Sequence, residues 1–160
     1  MQRINVGVGD LALSDKPEME IVTHSLGSCI GVLIYDRVAA VGGLLHLMLP
    51  DSNLNKDRAR RQPGVFADTG IPRLFRTAYQ MGAKKGRIRT YVVGGSQVMD
   101  EGGHFNIGKR NYAAVRKIFW RNNVLIDKED VGGRVNRTVG LVVSDGRVWM
   151  KVNGQEAKYL

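Results

Sequence analysis

Hydrophobic residues occur along most of the chain in short runs rich in Val, Ile and Leu. Such runs, when Gly, Pro, Asn or Asp bound them, are typical of β-strands. They predict strands over residues 4–8, 19–23, 29–35, 39–49, 87–93, 124–131, 138–143 and 148–152, with an irregular connection over 11–17. The Asp145-Gly146 pair between the last two runs predicts a hairpin closed by a type I′ turn.

Two segments have apolar residues at helical spacing instead. Residues 65–81 predict a first amphipathic helix, with Asp68 or Thr69 as its N-cap and Pro72 in its first turn. Residues 106–122 predict a second amphipathic helix. The chain therefore has several strands and two interspersed helices.

This order of elements predicts an α/β (α+β) layered sandwich. We expect mixed, largely antiparallel strands, with the two main amphipathic helices packed on the sheet. A length of 160 residues suits a single domain over 1–160. Residues 51–64 are polar and basic without periodicity, so they predict a surface loop of unusual length.

Composition indicates where the protein works. A single cysteine excludes an internal disulfide and is most stable in a reducing compartment. No apolar run approaches the roughly 20 residues that span a membrane. The first residues also do not resemble a signal peptide. We expect a cytoplasmic protein, without membrane insertion and monomeric.

The net charge of +9 raises the question of a nucleic-acid partner. The basic residues are scattered apart from clusters at 56–61 and 84–87, and neither cluster is interleaved with aromatic residues. No helix-turn-helix or zinc-finger spacing is visible. We therefore expect no nucleic-acid binding. An acidic protein partner or solubility alone explains the charge equally well, and the role of 56–61 stays open.

The candidate chemistry lies at the turn Gly27-Ser28-Cys29. If the runs on either side of residue 36 pair as a hairpin, Cys29 and His46 lie near the same end of adjacent strands. A thiol in a tight turn beside an imidazole suits a cysteine nucleophile with a histidine base. The alternative interpretation is that Cys29 is only a small buried hydrophobic residue.

Two details favour the nucleophile. A histidine within an apolar strand is costly to bury unless its ring nitrogens have partners. The turn also offers the backbone N–H groups of Gly27, Ser28 and Cys29 to an oxyanion. We expect His46 to take the thiol proton or to pair with the thiolate as imidazolium. Cys29 would then react with iodoacetamide faster than a model thiol near pH 7.

Cofactor and metal chemistry are not expected. The Gly-rich segments lack dinucleotide-binding spacing, and no P-loop is present. The cysteine and the three histidines do not form pairs with zinc-ligand spacing, so we predict no metal site and no cofactor. We predict that His104 is an exposed loop imidazole, and the role of His24 stays open.

The chain resembles the CheD family of chemoreceptor glutamine deamidases. The resemblance covers most of the chain, and its central motifs run from Thr23 to Cys29 and from His46 to Asp51. The other motifs are Phe66-Ala67-Asp68-Thr69, Gly94-Gly95-Ser96, Asn106-Ile107-Gly108-Lys109-Arg110-Asn111 and Gly132-Gly133 with Arg137. The sequence departs from the family at two places. His24 occupies a position that is often apolar in related sequences, and residues 96–99, after Gly95, are more polar than is usual.

The resemblance implies a fold related to the catalytic domain of cytotoxic necrotising factor toxins. It also implies a Cys-His-Thr triad, which falls on Cys29, His46 and Thr23. The implied activity is the conversion of chemoreceptor glutamines to glutamate through a thioester, with release of ammonia. The implied partners are the cytoplasmic helices of methyl-accepting chemoreceptors and a CheC-type phosphatase. Two alternatives remain: a regulatory module that binds this phosphatase without turnover, and a deamidase of another protein.

Overall fold

The computed structural model describes residues 1–97 and 106–160, and the strands in this part of the chain form two five-stranded sheets. The first sheet has the order β1-β3-β8-β9-β10. Its strands are β1 (Gln2–Asn5), β3 (Met19–Leu26), β8 (Arg137–Val142), β9 (Val148–Val152) and β10 (Lys158–Tyr159). Only the β1–β3 pair is parallel in this sheet.

The second sheet has the order β2-β5-β4-β6-β7. Its strands are β2 (Leu11–Ser14), β5 (Val41–Leu47), β4 (Ile30–Asp36), β6 (Ile88–Gly94) and β7 (Lys128–Val131). Here only β6 and β7 pair in parallel. The mixed, largely antiparallel arrangement that the sequence predicts is confirmed.

Three layers result from these two sheets and the helices. The space between the sheets is filled by residues such as Leu33, Leu44 and Leu141. The outer face of the second sheet is covered by α2 (Ala67–Gln80) and α3 (Ile107–Arg121), whose buried residues include Leu74 and Phe119. The layered sandwich with two main helices is therefore confirmed. No helix within the described residues is long and apolar enough to cross a membrane.

Strand β4 is the centre of the second sheet. It pairs with β5 on one side and β6 on the other, and all seven of its residues are buried. Helices cover one face of this strand and the first sheet covers the other, so both faces need apolar side chains. Cys29 precedes its first residue and Asp36 is its last.

The predicted loop over 51–64 is wrong. The segment forms a 3₁₀ turn (Ser52–Leu54), the short helix α1 (Lys56–Arg61) and a second 3₁₀ turn (Pro63–Val65). Its polar residues act as caps: the side chain of Asp51 accepts from Asn53 N–H and that of Asn55 from Arg58 N–H. Helices of three to six residues are too short to show a hydrophobic period, which explains the error.

The predicted start of α2 is also wrong. The helix begins at Ala67 after Phe66, which has no side-chain capping bond, and Pro72 lies inside it. Ala67 N–H donates to the carbonyl of Leu49, which fixes where the helix starts. The carboxylate of Asp68 accepts from Ser52, and the Thr69 hydroxyl donates to a backbone carbonyl outside the helix.

Three smaller expectations also differ from the structure. Residues 11–17 are not only a connection, because β2 pairs there with β5. The strand expected over 124–131 begins only at Lys128. The β8–β9 hairpin exists, but its turn is not type I′: Gly146 has a positive φ of 77° and Asp145 does not. A type I′ turn requires positive φ at both central residues.

Candidate active site

Three strands bring the predicted site residues to one end of the sandwich. β4 and β5 pair so that Gly31 lies opposite His46, which places Cys29, two residues before Gly31, at the same end. The expected hairpin pairing is therefore observed. The side chain of Cys29 packs against the core between the two sheets. Thr23 lies on β3 in the other sheet, so the three side chains span both sheets.

The imidazole of His46 crosses between the sheets to Thr23. Both residues are fully buried, and His46 Nδ1 lies 2.7 Å from Thr23 Oγ1. The Thr23 hydroxyl donates its proton to the carbonyl of Val6, at 2.7 Å. A hydroxyl has only one proton to donate, so Thr23 must accept from His46 Nδ1–H. The neutral ring therefore carries its proton on Nδ1, and Nε2 keeps a free lone pair.

The lone pair on His46 Nε2 is buried and has no hydrogen-bond partner within the described residues. Burial lowers the pKa of His46 from 6.5 to about 4, against a smaller opposite effect of Asp10. At neutral pH the ring is therefore a neutral base with an unused acceptor. Such an atom is costly in a folded core, and it identifies a position where a proton can be received.

Cys29 is half-buried, and burial raises the pKa of its thiol, partly offset by its own backbone N–H. A raised thiol pKa beside a lowered imidazole pKa favours the neutral pair over thiolate and imidazolium. The structure therefore does not favour the rapid alkylation that we expected from the sequence. In the resting site the thiol keeps its proton.

The turn before Cys29 follows a bulge in β3. The pairing of β3 with β8 shifts register between Thr23 and Leu26, and Ser25 has a positive φ of 59°. Gly27 N–H donates to the Ser25 carbonyl at 3.1 Å. The N–H groups of Ser28 and Cys29 donate to no other residue in the described part of the chain. These two amides are therefore available to an oxygen atom of a ligand.

A buried asparagine on α3 joins the turn to β5. The amide nitrogen of Asn111 donates to the carbonyls of Ser28 and Met48, both at 2.9 Å. It thereby ties the segment before Cys29 to the segment after His46. Its Oδ1 atom is buried without a partner among the described residues. We missed this role in the sequence, although Asn111 shares a helix face with Val115 and Phe119, and a polar residue on a buried stripe is a usable signal.

The two glycines that end β6 and follow it hold the turn from the other side. Gly95 N–H donates to the Cys29 carbonyl at 2.9 Å, and Ser96 N–H donates to the Gly27 carbonyl at 2.8 Å. A Cβ atom on Gly94 would lie 2.3 Å from the Cys29 carbonyl oxygen. One on Gly108 would lie 2.4 Å from the carbonyl oxygens of Gly95 and Ser96. Only glycine permits these close backbone contacts.

A buried arginine fixes this glycine segment in turn. Arg137 donates to the Ser96 hydroxyl at 2.8 Å, to the Gly94 carbonyl at 3.3 Å and to the Gly132 carbonyl at 3.0 Å. It also forms an ion pair with Asp130 at 2.8 Å. Ser96 and Arg137 were named in the sequence analysis only as family motifs, because the contact between them joins positions 41 residues apart and is not visible in the spacing.

Of the two remaining histidines, the structure describes only His24. His24 is exposed on β3. His104 lies outside the described residues. Within the described ranges, no group of three or more His, Cys, Asp or Glu side chains is placed to hold a metal ion. The arrangement places a half-buried thiol, a buried neutral base and two backbone amides without a partner among the described residues at one end of the sandwich.

Comparison with known proteins identifies the family. Residues 48–152 match the family model described as CheD chemotactic sensory transduction. A Solibacter usitatus protein named "Probable chemoreceptor glutamine deamidase CheD" is 47% identical over 98% of this chain and 92% of its own length. A Syntrophus aciditrophicus protein, "Probable chemoreceptor glutamine deamidase CheD 1", is 47% identical over 96% of both chains. The chain belongs to the CheD family.

A relative of lower identity and one solved structure also match this chain. A Pyrococcus abyssi protein named "Probable chemoreceptor glutamine deamidase CheD" is 37% identical over 96% of this chain and 95% of its own length. The crystal structure of a Neisseria meningitidis protein of the DUF152 family covers 78% of this chain and 52% of its own, with a TM-score of 0.41 and 14% identity.

Proposed function

We propose that this protein is a chemoreceptor glutamine deamidase with Cys29 as nucleophile, His46 as general base and acid, and Thr23 as the residue that orients His46. One observation carries the proposal: the lone pair of His46 Nε2 has no partner among the described residues. Because Thr23 accepts from Nδ1–H, Nε2 is the nitrogen of the ring that can accept a proton. The names of the CheD relatives supply the substrate, a glutamine of a chemoreceptor, and the family resemblance implies that it lies on the cytoplasmic helices.

The first half of the reaction forms a thioester. His46 Nε2 accepts the thiol proton while the sulfur of Cys29 bonds to the carboxamide carbon of the glutamine. Burial keeps both groups neutral in the resting site, so the proton moves as the S–C bond forms. The protonated ring then gives the proton to the departing nitrogen, the C–N bond breaks, and ammonia leaves.

The second half regenerates the thiol. His46 takes a proton from a water molecule as the water oxygen bonds to the thioester carbon. The C–S bond breaks, the proton returns to sulfur, and glutamate is released. Thr23 keeps Nδ1–H engaged throughout, so the same Nε2 atom serves both steps. No metal or cofactor takes part in either step.

Each half passes through a tetrahedral oxyanion. The N–H groups of Ser28 and Cys29 are the donors that we assign to it, because neither donates to another residue among those the structure describes. Gly27 N–H already donates to Ser25, so in this proposal Gly27 contributes the shape of the turn. Ser96 N–H and the Asn111 amide bind the carbonyls of Gly27 and Ser28, which lie on the other side of these two peptides, and so orient the two amides.

Intact-mass spectrometry of a chemoreceptor cytoplasmic fragment tests the proposal. Wild-type protein should raise the mass of the fragment by about 1 Da per converted glutamine, and Cys29→Ala should leave it unchanged. The variant must show the wild-type circular dichroism spectrum. A mass shift with both proteins would remove Cys29 as the nucleophile.

The same experiment separates the alternatives. If the wild type binds the fragment but leaves its mass unchanged, the protein acts as a binding module, for which a CheC-type phosphatase is the candidate partner. If the mass of unrelated glutamine-containing proteins increases at the same rate as that of the receptor fragment, the substrate assignment is wrong although the chemistry is right. The second outcome is read in the same spectra, and the first adds a binding measurement on the same two proteins.

A further inference from the structure

The outer surface of α2 and α3 carries a second feature that the proposed reaction does not use. Two adjoining hollows, of about 240 and 330 Å³, lie along the helices and share Phe119 and Val124 in their walls. We call these two hollows together the helix groove. Phe75 and Phe119 contact each other edge to face with ring centroids 5.9 Å apart, and both line the first hollow.

Large apolar side chains stand exposed around the helix groove. Trp120 is 79% exposed, Leu125 is 82% exposed, and both line the second hollow. Tyr79 is 39% exposed and lines the first. Single exposed apolar residues are ordinary, but a contiguous group around a hollow marks an interaction surface. Tryptophan is also the residue most enriched among those that dominate binding energies.

The charged residues around the groove are mostly basic. α3 carries five basic residues and no acidic one: Lys109, Arg110, Arg116, Lys117 and Arg121. Arg76, Lys85 and Arg116 line the hollows themselves. Of the lining residues that the structure describes, Glu129 alone is acidic, and it accepts a hydrogen bond from Tyr112. The surface is therefore apolar at its floor and basic at its rim.

We infer that the helix groove binds an acidic amphipathic helix of a partner protein. Its apolar floor, formed between two helices, suits the apolar stripe of a third helix, and its basic rim complements carboxylates beside that stripe. The groove lies at the distal half of α3: Phe119 is eight residues, or about 12 Å of helix, beyond Asn111. The partner would therefore contact a surface separate from the thiol.

A defined peptide tests this inference. The probe is an 18-residue peptide with Leu at every third or fourth position and Glu elsewhere, titrated by calorimetry and by tryptophan fluorescence. Trp120 is exposed and Trp149 is buried, so binding should shift the emission of Trp120 to shorter wavelength. Affinity should also fall as salt rises, because the rim charges are screened.

Matched variants locate the binding. Arg76→Glu combined with Arg116→Glu should weaken binding at least tenfold, and Lys109→Glu combined with Arg110→Glu, the same charge change outside the hollows, less than twofold. Trp120→Ala and Leu125→Ala should each weaken it about fivefold. Leu54→Ala, at a residue 64% exposed elsewhere, should not. Cys29→Ala should bind as the wild type does, so failure here is distinguishable from failure of the deamidase proposal.

Other results would overturn the inference. If a peptide with Lys in place of Glu binds as well as the acidic one, charge complementarity plays no part. If a scrambled peptide binds equally, the groove does not recognise an amphipathic helix. Absence of binding at millimolar peptide would also reject it. Sedimentation showing a dimer that Trp120→Ala dissociates would assign the groove to a second copy. Tighter binding to phosphatidylglycerol vesicles than to the peptide would assign it to a membrane surface.

Discussion

A buried ionisable group lies at each end of strand β4, Asp36 on β4 itself and His46 on the paired strand β5, and the two have opposite surroundings. At one end, Asp36 is fully buried, and its carboxylate accepts from the N–H groups of Val38, Ala39 and Lys84 and from the guanidinium of Arg87. At the other end, the ring of His46 opposite Gly31 leaves Nε2 without a partner among the described residues.

The pKa shifts follow from this difference. Burial alone would raise the pKa of Asp36, but the three backbone donors and Arg87 hold it below its ordinary value of 3.8. Nothing comparable compensates the burial of His46, so its pKa falls to about 4. Asp36 is therefore kept charged by its partners, and His46 is kept neutral by burial that Asp10 offsets only in part. The first arrangement is typical of a structural lock and the second of a reactive group.

The largest effect should come from removing the reactive group. His46→Gln should lower the rate of deamidation by about 10² to 10⁴, the range for loss of a general acid–base. The midpoint of urea unfolding at pH 7 should fall only modestly, because the variant loses one neutral hydrogen bond, from Nδ1–H to Thr23, together with an Nε2 atom that has no partner among the described residues. Iodoacetamide should label Cys29 more slowly than a free thiol in both proteins, since the resting thiol is neutral in both.

A large loss of stability in His46→Gln, with activity per folded molecule retained, would reverse this assignment. His46 would then be a structural residue like Asp36.

Replacing Asp36 should give the opposite result: a loss of stability without a loss of activity per folded molecule. Asp36→Asn leaves Arg87 and a backbone N–H without their charged acceptor, and we expect a loss of about 3 kcal/mol in the free energy of unfolding. Deamidation per folded molecule should not change. The matched control is Asp145→Asn, which removes the exposed ion pair with Arg147 and should cost less than about 1 kcal/mol. Equal losses in the two variants would contradict the comparison.

The contributions of His46 and Asp36 to the free energy of unfolding should be lost in different pH ranges. The pKa of His46 is lower in the folded state, so the unfolded chain binds more protons below pH 6.5. Stability should therefore fall as pH drops from 6.5 to about 4, by about 3 kcal/mol at the lower limit. The pKa of Asp36 is depressed as well, so its contribution is lost only as pH falls below about 3.8.

Urea unfolding at several pH values between 7.5 and 4 measures the first range. His46→Gln should flatten the dependence between pH 6.5 and 4, while the loss below that range should remain. A dependence identical to that of the wild type would show that His46 is not held neutral.

The smallest effect concerns the residue that joins the two segments at the reactive end. Asn111→Ser removes the bonds to the Ser28 and Met48 carbonyls, and we expect kcat to fall at least tenfold while KM changes less than twofold. The control is Asn122→Ala, which removes a comparable side-chain bond at the exposed end of the same helix. If activity in Asn111→Ser falls only in proportion to the folded fraction, Asn111 has no positioning role.

The sequence predicted the layers, the pairing of β4 with β5 and the region of the site because these depend on local patterns. Runs of apolar residues define strands, and counting from the turn near Asp36 places Cys29 and His46 at one end. The family motifs added Thr23. Strand and helix limits were less accurate wherever a contact with another segment sets them, as Leu49 does for the start of α2.

The protonation state of the site could not be predicted in the same way. It depends on a bond from Thr23 to Val6 and on the burial of Cys29 and His46 between two sheets, and neither is visible in the spacing. Similarly, Asn111 contacts residues 63 and 83 positions away. Long-range contacts of this kind follow from the assembled layers and leave only weak traces in the sequence.

The bond from Thr23 to the Val6 carbonyl has one more consequence. A carbonyl oxygen of the main chain is present whatever residue occupies position 6, and Val6 N–H is itself bonded to the Val22 carbonyl. Substitutions at position 6 therefore cannot delete the acceptor that determines which ring nitrogen of His46 is protonated. As long as position 23 keeps a hydroxyl, substitutions elsewhere in this chain should leave Nε2 as the nitrogen of His46 that accepts the proton. The rate of proton transfer should be more sensitive to such substitutions.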